Sequence, residues 1–317
     1  MDDDRLARSR AIHRRTGRTF YYATRLLPQR VRDPTYALYG FFRVADEIVD
    51  GDDGPDEPAA QRRALDRLRH QALGEEPTDD PVVAAFAETR RTHDIPAAEV
   101  DAFVDAMQAD VDRDRYEDFA ALREYMRGSA AAVGHMMTAV MDPANPEAAR
   151  SHAGALGEAF QLTNFVRDVR EDVEDLGRVY LPQETLRRHD VTDADLRRES
   201  ATPELRDAVR AELLRAEALY REGVEGIGLL PRDCQLPVLT AAVLYAEHHR
   251  LIRARDYDVL ANPPSLGAAR KTYRLARTYL SWRRLGDPVA VFRRVSAVPT
   301  TTDAGDTPEA WAHPSLE

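Results

Sequence analysis

The sequence predicts an all-α protein built as a single domain. Apolar residues recur at helical spacing along most of the 317 residues, and prolines separate the periodic segments. Alternating patterns that would indicate strands are nearly absent, and no internal repeat is found at solenoid periods. We therefore expect one helical domain over residues 1–295. The segment 296–317 is rich in small, polar and proline residues, so it is predicted to be a disordered tail.

The predicted helices have recognisable start and stop signals. Asp33-Pro34 supplies an N-cap followed by proline at the first helical position, and Gly51 ends the same helix. The acidic segments at 51–58 and 74–81 are loops by composition. Helices are predicted at residues 5–30, 34–50, 59–73, 81–93, 97–111, 118–141, 146–175, 203–227, 234–256 and 265–284.

Composition excludes several classes of protein. The net charge of −11 leaves no basic face for neutralising phosphates, so a nucleic-acid partner is not expected. Lys271 is the only lysine, and an acidic chain of this kind suggests a high-salt cytoplasm. Cys234 is alone, which excludes a disulfide framework. No signal peptide or membrane-spanning run is found, so we expect a cytoplasmic protein that can still dock peripherally on a membrane.

A row of polar side chains follows the helix predicted at 146–175. At 100° per residue, Gln161, Asn164, Asp168 and Asp172 fall within about 80° of one another. Their amide and carboxylate oxygens are ligands that Mg²⁺ prefers. Acidic pairs at this spacing are frequent by chance in a chain with 55 acids, and most lie on solvated faces. The row therefore needs a partner before it indicates a site.

The partner is the helix predicted at 34–50. Apolar residues are spread nearly all round it, which is typical of a buried helix. Arg43, Asp46 and Asp50 nevertheless share one narrow side. Buried carboxylates are costly unless they are paired or metal-bound. We expect the two helices to face each other across a cavity and to hold divalent ions between their carboxylates.

Other patterns have simpler interpretations. Asp110 to Asp114 begins like an EF-hand loop, but Arg115 and Ala121 occupy the positions of the required Gly and Glu, so the segment is interpreted as a helix end. The histidines lack ligand spacing and are expected to be surface or core residues. The small residues from Gly128 to Gly134 leave two interpretations open: close helix packing, or room for a long ligand.

Together these motifs resemble the trans head-to-head prenyl synthases, the squalene/phytoene synthase family, over nearly the whole chain. The family's DxxxD motif stands at Asp46 to Asp50. Its second motif, QxxNxxRDxxxD, stands at Gln161 to Asp172 and is followed by a GRxYLP-type segment at Gly177 to Pro182. Arg18-Thr19-Phe20 corresponds to the family's Ser-Phe signature, and Tyr125 to its mid-chain tyrosine.

The late part of the chain carries a further match and one departure. Tyr245 and Tyr257-Asp258-Val259 correspond to the family's YDV region. Where many relatives have an arginine after that region, this chain has Asn262-Pro263. Lys271 is expected to make the phosphate contact instead.

The resemblance implies an isoprenoid-synthase helical fold around a deep central apolar cavity. It implies Mg²⁺ as cofactor, with Mn²⁺ as an alternative, and no NADPH. The implied metal ligands are Asp46, Asp50, Asn164, Asp168 and Asp172, and the four aspartates are the implied catalytic residues. The implied substrate-binding residues are Arg18, Thr19, Phe20, Arg43, Tyr125, Gln161, Arg167, Tyr245 and Lys271. Aromatic faces at Phe20, Tyr39 or Phe42 would stabilise carbocations.

The implied reaction joins two geranylgeranyl diphosphates through a cyclopropylcarbinyl (prephytoene) diphosphate to give phytoene, the first committed step of carotenoid biosynthesis. The expected partners are prenyl diphosphates, with peripheral membrane contact for product release. Two alternatives stay open. One is squalene or dehydrosqualene synthesis from farnesyl diphosphate, NADPH-dependent for squalene. The other is a non-catalytic scaffold role, against which the intact carboxylates argue.

Overall fold

The computed structural model describes residues 8–12, 23–51, 54–261 and 264–300, and within these ranges the all-α prediction is confirmed. The only β-structure in those ranges is an isolated parallel bridge between Arg115 and Val179. The helices are α1 (Gln29–Asp50), α2 (Pro58–Leu73), α3 (Pro81–Thr92), α4 (Ala97–Asp110), α5 (Phe119–Met126), α6 (Ala132–Met141), α7 (Pro146–Arg167), α8 (Val169–Glu174), α9 (Gln183–Arg188), α10 (Pro203–Glu225), α11 (Arg232–Arg253), α12 (Ala268–Leu285) and α13 (Pro288–Val295).

The helix that carries Asp46 begins earlier than predicted. α1 starts at Gln29, so Pro34 lies inside the helix and the predicted N-cap at Asp33 is wrong. Proline removes one backbone hydrogen bond there. Tertiary contacts hold the added turn, because Arg30 donates to the carbonyl of Met141 at 3.3 Å and to Asp233 at 2.7 Å. The predicted end at Gly51 is confirmed.

The helix predicted at 146–175 is broken at Asp168. α7 ends at Arg167 and α8 begins at Val169, with Asp168 between them at φ −104° and ψ 18°. The prediction of one continuous helix is therefore wrong. The N–H of Asp168 still donates to Asn164 at 2.8 Å, and the N–H of Asp172 donates to Asp168 at 2.9 Å. The backbone bends at Asp168, and the polar row continues across the bend.

The predicted helix 118–141 is also interrupted. A π-helical turn, Arg127–Ala131, joins α5 to α6. A Cβ added at Gly128 would lie 2.1 Å from the carbonyl oxygen of Ala102, and one at Gly134 would lie 2.3 Å from that of Ala153. Both glycines are required for close helix approach. Gly134 also lines a cavity, so both interpretations of the small-residue segment apply.

α7 lies at the centre of the fold. It packs against α6, α10 and α11, and its buried Thr163 hydroxyl lies 2.9 Å from Nε2 of His249. Nδ1 of His249 lies 3.2 Å from Glu217, so this histidine is a core residue with partners on both nitrogens. Residues 296–300 follow α13 as bends, and residues 301–317 of the predicted tail lie outside the described ranges. No helix in the described part of the chain has the length and apolar character needed to cross a bilayer.

Candidate active site

Two compartments meet among these helices. One is a polar pocket of about 430 Å³, and the other is an apolar cavity of about 310 Å³. Phe42, Arg43 and Asp46 from α1 and Val133 from α6 line both, so the two spaces adjoin along α1. A ligand with a charged end and a long apolar tail suits this arrangement, because each part meets a matching environment.

The apolar cavity runs along the first half of α7. Lining residues on this helix extend from Ala149 to Phe160, which spans about 17 Å at 1.5 Å per residue. Tyr39 and Phe42 also line the cavity, whereas Phe20 lies outside the described residues. Phe160, which was not predicted as a site residue, adds a third aromatic ring.

α1 brings Asp46 and Asp50 to the polar pocket. The guanidinium of Arg178 donates to Asp50 through two nitrogens, to Oδ1 at 2.7 Å and to Oδ2 at 3.1 Å. Asp46 has a looser partner, Arg43 Nη1 at 3.4 Å. Arg178 is positioned by the segment around it, in which the N–H of Val179 donates to the carbonyl of Asp114 at 2.8 Å.

The second carboxylate row lines the same polar pocket, through Gln161, Asn164, Asp168 and Asp172. Arg167 donates to Asp168 through Nε at 2.7 Å and also through Nη2. The Oδ1 atom of Asn164 is buried and has no hydrogen-bond partner among the described residues. Such an oxygen is costly to leave unpaired. It therefore marks a place where a ligand donor or a cation would be stabilised.

Two carboxyl groups of the pocket have strongly raised pKa values. Burial raises the pKa of Asp46 to about 7, with repulsion from Asp50 and Asp110 adding to it and Arg43 opposing it. Burial, followed by repulsion from Asp168 and Glu171, raises the pKa of Asp172 to about 8. The Asp46 side chain is still 41% exposed, since it faces the pocket. Burial and like charges therefore disfavour the ionised forms of Asp46 and Asp172, and a bound cation would favour those forms.

A fifth carboxylate of the pocket, Asp110, was not predicted as a site residue. It lies at the end of α4 and accepts hydrogen bonds from the hydroxyls of Tyr125 at 2.7 Å and Tyr180 at 3.3 Å. Its backbone carbonyl accepts from Arg178 at 2.9 Å. Burial raises the pKa of Asp110 to about 6, although Arg178 and Tyr125 oppose the shift. Asp110 therefore orients the same arginine that holds Asp50.

Asp110 carries a sequence signal that was passed over. Phe103, Met107 and Asp110 stand at i, i+4 and i+7, so they share one face of α4, and all three line the polar pocket. A carboxylate in line with large apolar residues indicates a buried acid. The EF-hand-like pattern at this position hides that signal. Arg178 and Tyr180 belong to the GRxYLP-type segment, to which the sequence assigns no role.

Only some of the other predicted substrate-binding residues line the polar pocket. Arg43, Tyr125 and Gln161 line the polar pocket. Tyr245 and Lys271 are not among the lining residues of either compartment, although the side chains of Asn164 and Arg167 hydrogen-bond to the Tyr245 hydroxyl. The residues of the prediction that lie outside the described ranges are Arg18, Thr19, Phe20, Asn262 and Pro263.

Asp258, in the predicted YDV match, has a structural role. Its carboxylate accepts hydrogen bonds from the backbone N–H groups of Ala201 at 3.1 Å, Leu260 at 3.1 Å and Ala261 at 3.0 Å. These bonds satisfy the carboxylate within the turn that follows α11. Neither Tyr257 nor Asp258 is among the residues that line the two compartments.

The donor types of the polar pocket suit Mg²⁺, which takes carboxylate and amide oxygens. In the ranges that the structure describes, however, no group of three or more His, Cys, Asp or Glu side chains is positioned to hold one ion together. The unpaired oxygen of Asn164 and the raised pKa values of Asp46 and Asp172 favour a cation. The residues therefore fit Mg²⁺ when an anionic ligand supplies further oxygens.

Comparison with known proteins identifies the family. The profile of squalene/phytoene synthases matches residues 13–282 of the chain. The chain belongs to the squalene/phytoene synthase family. The phytoene synthase of Rhodobacter capsulatus is 34% identical over 270 residues, which cover 84% of this chain and 79% of that protein. The 15-cis-phytoene synthase of Synechococcus elongatus is 32% identical over 297 residues, 90% of this chain and 91% of that protein.

Solved structures agree with this family assignment. A dehydrosqualene synthase in complex with ligand aligns with a TM-score of 0.80 at 29% identity, covering 88% of this chain and 97% of that one. A squalene synthase from Alicyclobacillus acidocaldarius aligns with a TM-score of 0.68 at 26% identity, covering 80% of this chain and 95% of that one. The predicted isoprenoid-synthase helical fold is thereby confirmed.

Proposed function

We propose that this member of the squalene/phytoene synthase family joins two geranylgeranyl diphosphates head to head to form phytoene. The observation that carries the proposal is the junction of the polar pocket with the apolar cavity along Phe42, Arg43 and Asp46. The pocket suits a diphosphate and the cavity suits a prenyl chain. The relatives named phytoene synthase, from a purple bacterium and a cyanobacterium, support the C20 substrate.

The reaction divides into two ionisations. In the first, the allylic C–O bond of one substrate breaks, and its electron pair leaves with the diphosphate. The double bond of the second substrate attacks the carbocation, and loss of a proton closes a cyclopropane. In the second ionisation the remaining diphosphate leaves, the carbon skeleton rearranges, and loss of another proton gives the C40 hydrocarbon. No reductant is consumed, so NADPH is not required.

The leaving diphosphates are anions, and the pocket contains cationic donors for them. Arg43 lines the pocket, and Arg167 and Arg178 bind its aspartates. Guanidinium groups bind phosphate oxygens through paired, charge-assisted hydrogen bonds. The proposed ligands of Mg²⁺ or Mn²⁺ are Asp46, Asp50, Asn164, Asp168 and Asp172. When bound, the ion supplies positive charge that stabilises the departing diphosphate.

Aromatic residues of this chain would stabilise the carbocation. Tyr39, Phe42 and Phe160 line the apolar cavity, where their faces attract positive charge and exclude the water that would quench it. Burial, followed by the negative charge of Asp110, raises the pKa of Tyr125 well above its ordinary value. Tyr125 therefore stays a neutral donor to Asp110 at neutral pH.

The chemistry of the product favours a peripheral membrane location. Phytoene has no polar group, so it partitions out of water strongly. We propose that the protein stays a non-spanning enzyme and releases its product into a bilayer that it contacts from one side.

A second candidate is dehydrosqualene or squalene synthesis from farnesyl diphosphate. The likeness to a solved dehydrosqualene synthase favours it, since that enzyme's helical frame overlays most of this chain. The two candidates share the same carboxylate chemistry and differ in substrate length and, for squalene, in the need for NADPH.

One incubation separates the candidates. Purified protein is given Mg²⁺ and either geranylgeranyl or farnesyl diphosphate, each with and without NADPH, in high salt. The products are extracted and identified by mass. We expect a C40 hydrocarbon from the C20 substrate without reductant. A C30 product alone would support dehydrosqualene or squalene synthesis instead. The absence of any product from folded protein would contradict both candidate functions.

A further inference from the structure

The outer face of α12 differs in chemistry from the rest of this acidic chain. α12 contains six basic residues and no acidic residue, whereas the net charge of the whole chain is −11. Seven large hydrophobic side chains are exposed in the described ranges, and four of them lie on α12: Tyr273, Tyr279, Leu280 and Leu285. Leu280 is 62% exposed. A surface helix that combines basic and large apolar residues is typical of a membrane-interface element.

The basic residues of α12 divide between two faces. Arg270 and Arg274 point inward and neutralise Glu247, which is fully buried. Arg283 and Arg284 are exposed. Arg284 follows Leu280 by four residues, so the two share one face of the helix. The outer face, which carries Tyr279, Leu280, Arg283 and Arg284, therefore presents positive charge beside apolar side chains. Its two arginines are not the ones that pair with Glu247.

The end of α12 is connected to a residue of the apolar cavity through hydrogen bonds. The carbonyl of Gly286 accepts from Arg232 at 2.9 Å, and Arg232 also donates to Gln235 at 2.9 Å. Gln235 in turn donates to the carbonyl of Leu230 at 2.8 Å, and Leu230 lines the cavity. Leu229, the residue before it, is 40% exposed. A chain of hydrogen bonds thus joins the residue after α12 to Leu230, a residue that lines the cavity and follows the exposed Leu229.

A second exposed leucine also precedes a residue that lines the cavity. Leu26 is 49% exposed and precedes Leu27, which lines the cavity. Two acids of the neighbouring segments take part in local contacts. Asp233 pairs with Arg30 at 2.7 Å, and Asp287 accepts from the N–H of Ala290 at 2.7 Å at the start of α13.

We propose that the outer face of α12, together with the exposed Leu26 and Leu229 beside residues that line the cavity, docks on a bilayer that contains anionic lipid. Tyrosine and leucine would enter the headgroup region, and the arginines would bind lipid phosphates while their stems lie on apolar surface. The proposed function supplies the reason for docking, because prenyl substrates and product then pass between bilayer and cavity. Binding itself can be measured without catalysis.

The test is vesicle flotation with the full-length protein at about 0.1 M salt, where charges act over about 10 Å and where circular dichroism first establishes that the protein is folded. Vesicles of phosphatidylcholine alone are compared with vesicles that also contain phosphatidylglycerol. We expect binding to the anionic vesicles only. The double variant Arg283→Gln/Arg284→Gln should lower the partition coefficient by about tenfold or more, since each basic residue near an anionic surface contributes several-fold. Leu280→Ser should also lower it.

The matched control is Arg63→Gln/Arg67→Gln, which removes the same charge from exposed positions of α2. It should retain binding within about twofold, because surface electrostatics decay over a Debye length. Equal losses in both double variants, or no binding by the wild type, would overturn the inference. So would wild-type dimers that dissociate on changing Arg283 and Arg284, since a second copy would then occupy the face. Product formation from detergent-dispersed substrate is scored separately, so failure of docking leaves the proposed function standing.

Discussion

The two carboxylate rows of the polar pocket are held by arginine in similar ways, although their local structures differ. On α1 the helix is regular through Asp46 and Asp50, and Asp50 is bound by Arg178 from a distant segment. On the second row the helix breaks at Asp168, which is bound by its own neighbour Arg167. Each row therefore has one aspartate fixed by a guanidinium group.

The second aspartate of each row, Asp46 on α1 and Asp172 on α8, lacks a partner among the described residues that binds it through two nitrogens. Burial and like charges raise the pKa of Asp46 to about 7 and that of Asp172 to about 8. The comparison teaches that arginine orients one carboxylate in each row, while the other lacks full compensation. A bound cation would stabilise these two incompletely compensated carboxylates most. Substitutions at these two positions therefore test the comparison most strongly.

The largest expected effect comes from removing either uncompensated carboxylate. Asp46→Asn and Asp172→Asn should each lower turnover about a thousandfold, because the developing charge on the diphosphate loses its counter-ion. Circular dichroism should show an unchanged helical fold. Asp207→Asn on the exposed side of α10 is the matched control and should keep full activity. Unchanged product formation in both site variants would show that the carboxylates are assigned wrongly.

A smaller effect is expected at the arginine that fixes Asp50. Arg178→Lys keeps the charge but loses the two-nitrogen contact with Asp50 and the bond to the carbonyl of Asp110. We expect kcat/KM to fall about tenfold, as for loss of one bidentate ion pair. Arg187→Lys is the control, since its pair with Glu117 at 2.6 Å is exposed and contributes little. Similar kinetics in the two variants would contradict the positioning role of Arg178.

The smallest effect concerns stability without metal. The pKa of Asp172 is raised, so the folded protein binds more protons than the unfolded chain between about pH 4 and pH 8, and its stability falls as pH rises. In EDTA, Asp172→Asn should therefore have a higher Tm than the wild type at pH 8, by roughly 5 °C, since each kcal/mol shifts Tm by about 2–4 °C. The difference should shrink towards pH 5. A difference in Tm that is the same at both pH values would argue against a strained carboxylate.

Local patterns in the sequence were sufficient to predict most of the long helices and to place the two rows, whereas the short helices α9 and α13 were not predicted. Proline and glycine mark most helix limits, and helical spacing aligned Asp46 with Asp50. The start of α1 was missed because contacts from Arg30 to Asp233, 203 residues away, hold its first turn. A contact between residues so far apart leaves no pattern in the local sequence.

The remaining misses also depend on long-range pairing. Arg178 and Asp50 are 128 residues apart, and Tyr180 and Asp110 are 70 apart, so no spacing rule connects them. By contrast, the break at Asp168 was missed because no proline or glycine, the residues that mark most of the other helix limits, stands next to it. A long-range pair, which spacing cannot show, decides that Asp50 is compensated, whereas Asp168 is bound by its sequence neighbour Arg167.

The central claim is that both rows act on one cation–diphosphate assembly. Calorimetric titration of inorganic pyrophosphate in the presence of Mg²⁺ tests it most directly, with wild type, Asp46→Asn, Asp172→Asn and the double variant forming a cycle. If the rows share one assembly, either single change should weaken binding nearly as much as both together. Two losses in binding free energy that simply add would contradict the claim, because each row would then bind its ligand independently.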